Sequence, residues 1–343
     1  MSKLKIGIVG VGGIATGRHI PAFQQLSSVD LVAVNDINVE QAKIVAEQFS
    51  IPKVFEKLED MLVEIDALVI CTPNKFHAPI AIQALEAGVH VLCEKPMALS
   101  TAECESMIQA AEQSGKVLLI AYHYRFMKES LAAKNLIDHD EIGDPLVIRI
   151  NMMRRRKVPG WGVFTNMDLQ GGGALIDYGC HMLDLAMWLA GNPKPVEVSG
   201  KVFNHLSTQT QLVNEWGAID PNTFEVEDHA TAFIRLENGA VILFETSWAA
   251  NIPNDEESLS ISGTKGGIEV FPLRLNKQNH GMLQSIGMDY IPEEMPVDLA
   301  QANHFVQSCL GEVEPISTPY ESMHISKIIE SIYESSAKGK SVK

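Results

Sequence analysis

The chain has 343 residues, 46% hydrophobic and 20% charged, with a formal net charge of −16. Its length exceeds one ordinary core and predicts two domains, and its composition excludes wholesale disorder. The negative charge argues against nucleic-acid binding, and no apolar run approaches the length of a membrane span. Five cysteines, Cys71, Cys93, Cys104, Cys180 and Cys309, form no C-x-x-C pair. A disulfide framework or a metal site is therefore not expected, and a reducing, cytoplasmic compartment is. A strand pattern starts within the first residues, so no signal peptide is expected.

Short apolar runs at Lys5–Gly10, Leu31–Asp36, Ala67–Cys71, Val89–Cys93 and Val117–Ala121 predict strands covered on both faces. Between them, Val39–Phe49, Pro79–Ala87 and Thr101–Ser114 predict helices. Ser100 and Glu103 have capping-box spacing at the start of the last, and Gly88 and Gly115 stand where helices end. This alternation implies an α/β fold with a doubly wound parallel sheet.

The pattern changes after Ala121. A helix is predicted over Lys128–Asp138, then a long strand over Pro145–Met153. The Gly171-Gly172-Gly173 loop leads into a helix over Ala174–Ala190. Strands follow at Pro195–Phe203, Ala230–Leu236 and Ala240–Trp248, the last two joined by a Glu237-Asn238-Gly239 turn. Consecutive strands without helices between them predict a large, open, mostly antiparallel sheet in an α+β domain. The stretch from Asn251 to Pro296 reads as loop-rich, and helices over Leu299–Cys309 and Glu321–Lys338 close the chain.

Gly10-Val11-Gly12-Gly13-Ile14-Ala15 fits the dinucleotide fingerprint G-x-G-x-x-G/A directly after the first strand. Gly10 permits the turn, Gly12 lets the backbone approach a pyrophosphate, and Ala15 keeps the following helix close to the sheet. Asp36 ends the second strand, where a carboxylate binds ribose hydroxyls and repels a 2′-phosphate. Ile37 and Asn38 follow it without an arginine, so NAD(H) is favoured over NADP(H).

Two further clusters lie at strand carboxyl ends, where open α/β sheets bind ligands: Cys71-Thr72-Pro73-Asn74 with His77, and Glu94-Lys95-Pro96. A fixed Lys95 ammonium can bind a substrate hydroxyl and stabilise a developing alkoxide. In the predicted helix after the glycines, Asp177 and His181 are spaced i and i+4 on one face, and Asp184 continues the stripe. Polar groups there need partners or a cavity, and His181 suits a general base.

Together these residues resemble the Gfo/Idh/MocA oxidoreductases, the glucose–fructose oxidoreductase and inositol dehydrogenase relatives, over nearly the whole chain. The resemblance rests on Gly10–Ala15, Asp36, Cys71–Asn74 with His77, Glu94-Lys95-Pro96, and Gly171-Gly-Gly…Asp177…His181…Asp184…Trp188-Leu-Ala-Gly191. It implies an NAD-binding Rossmann domain over 1–122 and a substrate-binding, oligomerising domain over 123–343, with the final helix packing back on the first. It also implies a homodimer or homotetramer, and a sugar, sugar derivative or cyclitol as substrate. Lys95 would polarise the reacting hydroxyl, His181 would take its proton, and Asp177 would orient the substrate. Two other activities stay open at this point, an NAD-retaining glycosidase and a non-catalytic NAD-binding regulator. For the substrate, His123 and Arg125 after the last Rossmann strand, and Arg154, Arg156 and Trp161 after the long strand, are candidate contacts. The basic run Arg154–Lys157 would select an anionic group on the substrate, and Trp161 would cover a sugar ring.

Overall fold

In a computed structural model, residues 3–209 and 212–343 are described. The chain divides into two compact units: one runs to His123 and takes in Glu294–Met323, and the other comprises Tyr124–Glu293 and His324–Lys343.

The first unit holds strands β1 (Leu4–Val9), β2 (Val29–Asn35), β3 (Lys53–Phe55), β4 (Ala67–Ile70), β5 (His90–Cys93) and β6 (Leu118–Ile120). They form one parallel sheet in the order β3-β2-β1-β4-β5-β6. That is the doubly wound order with its reversal between β1 and β4, where a ligand crevice opens at the strand carboxyl ends. Every residue of β4 is fully buried, which is why it reads as an unbroken apolar run. Helices α1 (Ile20–Gln24), α2 (Val39–Gln48), α3 (Leu58–Leu62), α4 (His77–Glu86) and α5 (Thr101–Ser114) connect the strands. The expected capping box at Ser100 and Glu103 is present, and Gly115 ends α5 in the left-handed region. The three-residue β3 is an addition to the strands expected from sequence.

The second unit begins with α6 (Lys128–Asp138) and the long strand β7 (Pro145–Met153), followed by α7 (Met167–Gln170) and α8 (Cys180–Leu189). Strands β8 (Pro195–Phe203), β9 (His229–Leu236), β10 (Val241–Ser247), β11 (Glu256–Gly263), β12 (Gly266–Glu269), β13 (Arg274–Asn279) and β14 (Met282–Gly287) follow. With β7 they build an eight-stranded sheet in the order β14-β13-β12-β11-β7-β10-β9-β8. All neighbours are antiparallel except β7 and β10, which run parallel. The loop-rich reading of Asn251–Pro296 is corrected here, since that stretch supplies four strands.

Burial alternates along β9 and β10, with Ile234, Ile242, Phe244 and Thr246 on the covered face. Helix α8 lies on that face, and all ten of its residues are buried. Helix α9 (Val297–Cys309) belongs to the first unit, and α10 (Pro319–Lys338) starts in the first unit and continues in the second. Among the described residues no helix is long and apolar enough to cross a membrane.

Candidate active site

In the first unit the site begins where β1 stops. Gly10 takes φ +83°, and a Cβ there would lie 2.7 Å from the Cys71 carbonyl carbon, so only glycine fits the turn. A Cβ on Gly12 or Gly13 would meet nothing within 4 Å, so both glycines border open space. Ile14 is partly exposed, and from fully buried Ala15 the chain enters a π turn, Ala15–His19, that leads into α1. Asp36 follows β2 and is held from two sides: Oδ2 accepts from Val11 N and Oδ1 from Asn38 N, each at 2.8 Å. Gly12, Gly13, Thr16, Asp36 and Asn38 line a cleft of about 430 Å³. Backbone without side chains, a helix start and a fixed carboxylate fit a dinucleotide: the glycines would hold its pyrophosphate and Asp36 its ribose hydroxyls.

The carboxyl ends of β4 and β5 carry the second cluster. His77 starts α4 and is fully buried; its Nδ1 lies 2.8 Å from the Pro96 carbonyl oxygen and its Nε2 3.0 Å from that of Thr72. Burial pulls its pKa down, against the two carbonyl contacts. The ring therefore bridges the Cys71–Asn74 loop and the Lys95–Pro96 loop. Glu94 is also buried. Its Oε1 pairs with His19 Nε2 at 2.7 Å, and its Oε2 accepts from Lys95 N at 3.1 Å. Burial raises this carboxyl, but the His19 hydrogen bond and charge, helped by Lys95 and Arg18, outweigh it and hold the pKa at about 2. Glu94 thus anchors this loop internally, to His19 on one side and to the backbone of Lys95 on the other. Lys95 is fixed by its neighbours on both sides: Glu94 holds its N–H and His77 holds the next carbonyl. His123 belongs to the same unit. Burial, then the positive charge of Arg18, depresses its pKa to about 3, with Lys95 and His19 adding to the effect. Cys71 and Asn74 are buried, and Thr72 and Pro73 are partly exposed in the loop between β4 and α4.

In the second unit the glycine loop has a definite partner. Gly171 takes φ +74° at the end of α7. A Cβ on Gly172 would lie 2.0 Å from the Tyr333 hydroxyl, and one on Gly173 2.0 Å from the Glu227 carbonyl oxygen. Glu227 caps the start of the next segment, Leu175–Gly179, which is a π turn running into α8. The expected uniform α-helix is corrected here: Asp177 lies in the wider turn and His181 in the α-helix. Turns of this kind recur at functional sites. Asp177 Oδ2 accepts from Trp248 Nε1 at 3.2 Å. His181 is 8% exposed, and its ring lies 5.3 Å from that of Tyr124.

The remaining sequence candidates separate. Arg125 is 1% exposed and forms a two-pronged pair with Asp184 (2.9 and 2.7 Å) beside the Trp188 ring. It is a core ion pair. Arg156 reaches the Leu206 carbonyl at 3.2 Å and Asn251 Oδ1 at 2.6 Å. Arg154 stacks on Tyr178 (3.8 Å) and Trp216 (4.6 Å), and Trp216 meets half-exposed Trp161 at 5.4 Å. Sequence reasoning missed Glu227 and Glu257, whose partners lie far away along the chain, and Tyr124, Trp216 and Trp248. Of these, Tyr124 stands between the two candidates His123 and Arg125, and Trp248 ends a predicted strand.

Residues 4–122 match the family described as "Oxidoreductase family, NAD-binding Rossmann fold", and residues 130–269 match the GFO/IDH/MocA C-terminal domain. The chain belongs to the Gfo/Idh/MocA oxidoreductase family. Within this family it is 33% identical to the D-glucoside 3-dehydrogenase of Escherichia coli K12, over 98% of this chain and 97% of the relative. It is 30% identical to the glucose-6-phosphate 3-dehydrogenase of Bacillus subtilis 168, over 73% and 69%. Among solved structures, the aldose-aldose oxidoreductase of Caulobacter crescentus, complexed with glycerol, superposes with a TM-score of 0.83 at 27% identity, covering 99% of both chains. The chain is accordingly an enzyme of the dehydrogenase class with an NAD-binding Rossmann domain.

Proposed function

We propose that this enzyme oxidises a secondary alcohol of a sugar or sugar derivative, or reduces the corresponding ketone, with NAD(H). The observations that carry this reading are a dinucleotide-shaped cleft in the first unit and, in the second, a helix start that carries Asp177 and His181. The activities for which the relatives are named support a sugar as substrate. Bound NAD supplies the hydride acceptor. Lys95, fixed through Glu94 and His77, donates a hydrogen bond to the reacting hydroxyl and stabilises the alkoxide as it forms. His181 takes the hydroxyl proton as general base, and Asp177, steadied by Trp248, orients the substrate and helps pass the proton on. Reduction uses the same groups in reverse.

NAD is preferred over NADP in this reading, because the Asp36 carboxylate repels a 2′-phosphate and exposed Ile37 and Asn38 offer no cation to hold one. A second copy of the chain would pair on the open face of the eight-stranded sheet, where Leu243 is 41% exposed. Five free cysteines suit a reducing compartment such as the cytoplasm.

The test is NADH formation from NAD+ and a panel of sugars, sugar acids, cyclitols and glycosides. Formation that disappears in Lys95→Ala and in His181→Ala is the expected result. No NADH from any member of the panel would overturn the reading.

A further inference from the structure

A continuous series of contacts leads away from His181 within the second unit. The His181 ring packs on Tyr124, and the Tyr124 hydroxyl donates to Glu257 Oε1 at 2.5 Å. The Tyr178 hydroxyl donates to the same oxygen at 3.3 Å. The Arg154 guanidinium lies flat over Tyr178 and Trp216, and Trp216 tilts against Trp161. Trp161 and Trp216 are 53% and 39% exposed, so part of each indole stands in solvent, and the Arg154 guanidinium links Trp216 to Tyr178, the partner of Glu257. Exposed aromatic faces with a few fixed polar groups form the surface that takes a small ring-shaped ligand.

The charges around this surface decide which ring. The basic run Arg154–Lys157 does not present a cluster of unengaged cations. Arg155 donates to the Pro253 carbonyl, Arg156 is held by Leu206 and Asn251, and Lys157 pairs with Asp255 and Glu215. Glu257 adds an exposed negative charge. An anionic group would meet the Glu257 carboxylate, whereas a neutral polyol would set its C–H faces on the indoles and donate a hydroxyl to Glu257.

We propose that Trp161, Trp216, Arg154 and Glu257 form a subsite for the second ring of a neutral glycoside. The substrate is then a glycoside or disaccharide, in preference to a free monosaccharide or a sugar phosphate. The proposal rests on the reading that a sugar is oxidised at Asp177 and His181. It also replaces the anion-selecting role expected for Arg154–Lys157.

The experiment compares kcat/KM for D-glucose, phenyl glucoside, glucose disaccharides and glucose 6-phosphate in the wild type, Trp161→Ala and Trp161→Phe. Binding of the same compounds in the presence of NADH is followed in parallel by quenching of tryptophan fluorescence. The expected result is a two-ring preference over glucose of at least about tenfold, equivalent to about 1.4 kcal/mol. That ratio collapses toward one in Trp161→Ala through KM and is retained in Trp161→Phe. Equal values for glucose and its glycosides, a preference for the 6-phosphate, or a ratio unchanged in Trp161→Ala would overturn the proposal. If no compound is oxidised, the dehydrogenase reading fails by itself. Quenching by two-ring compounds that is lost in Trp161→Ala then still supports the subsite, and absence of quenching overturns it.

Discussion

The backbone N–H of Gly173 donates to both carboxylate oxygens of Glu227, at 2.8 and 2.9 Å. Oε1 also accepts from Leu175 N at 2.9 Å, so one buried carboxylate closes the start of the segment that carries Asp177. Burial lifts the Glu227 pKa from 4.5 to about 7, and the two N–H donors offset only part of that rise. An acid with a raised folded pKa gives a contribution to stability that is complete below pH 4.5 and lost as pH rises through about 7. The shift corresponds to about 3 kcal/mol. Thermal unfolding at pH 5 and pH 8 should therefore show a loss of stability in the wild type across that interval. Glu227→Gln, which cannot ionise, should show a smaller loss; an equal pH dependence in the two proteins would refute the assignment.

Gly173 itself is fixed by contact. Its missing Cβ would stand 2.0 Å from the Glu227 carbonyl oxygen, a backbone atom that cannot swing aside. Gly173→Ala should cost roughly 1–3 kcal/mol or more in urea denaturation. Gly12→Ala, whose Cβ enters open space, should leave stability nearly unchanged and weaken NAD binding.

Two buried side-chain pairs should respond to loss of a single partner. Asp184→Asn strands the Arg125 guanidinium, and His19→Ala strands the Glu94 carboxylate. Each should destabilise the fold by about 3–5 kcal/mol, measured by denaturant midpoint. The Glu94 pair also has a pH signature. Its folded pKa of about 2 lies below the unfolded value, so its contribution is present above pH 4.5 and is lost as pH falls toward 2. In His19→Ala that acid dependence should be reduced.

Cofactor choice should reside in Asp36. The wild type should bind NAD at least about tenfold more tightly than NADP, a difference of about 1.4 kcal/mol. Asp36→Ala should narrow that gap, chiefly by weakening NAD. Calorimetric titration of both nucleotides into both proteins measures it, and a ratio unaffected by the substitution would remove Asp36 from the argument.

The parts legible in the sequence were those with a local signature. Strands buried on both faces, such as Ala67–Ile70, are apolar throughout, and the Ser100–Glu103 cap closes within one turn. The edge of the second sheet has no such signature. Along Arg274–Asn279 only Leu275 is buried, and β14 is mostly exposed, so neither strand shows apolar alternation. Strand β3 has three residues, too few to display a period. The glycine loop was visible, but its partner Glu227 was not, because no spacing rule connects residues so far apart. The same holds for Arg125 with Asp184, and for Glu257 with Tyr124. The π turn at Leu175–Gly179 depends on packing as well: a Cβ on Gly179 would lie 2.7 Å from the Phe244 ring, a contact invisible from the glycine alone.

The most direct test of the central claim measures turnover and cofactor affinity side by side in His181→Ala, on the best substrate found. The account predicts that kcat falls by about 10²–10⁴-fold while the Kd for NAD stays within about twofold, as expected for loss of a general base. Undiminished turnover in that variant would contradict it.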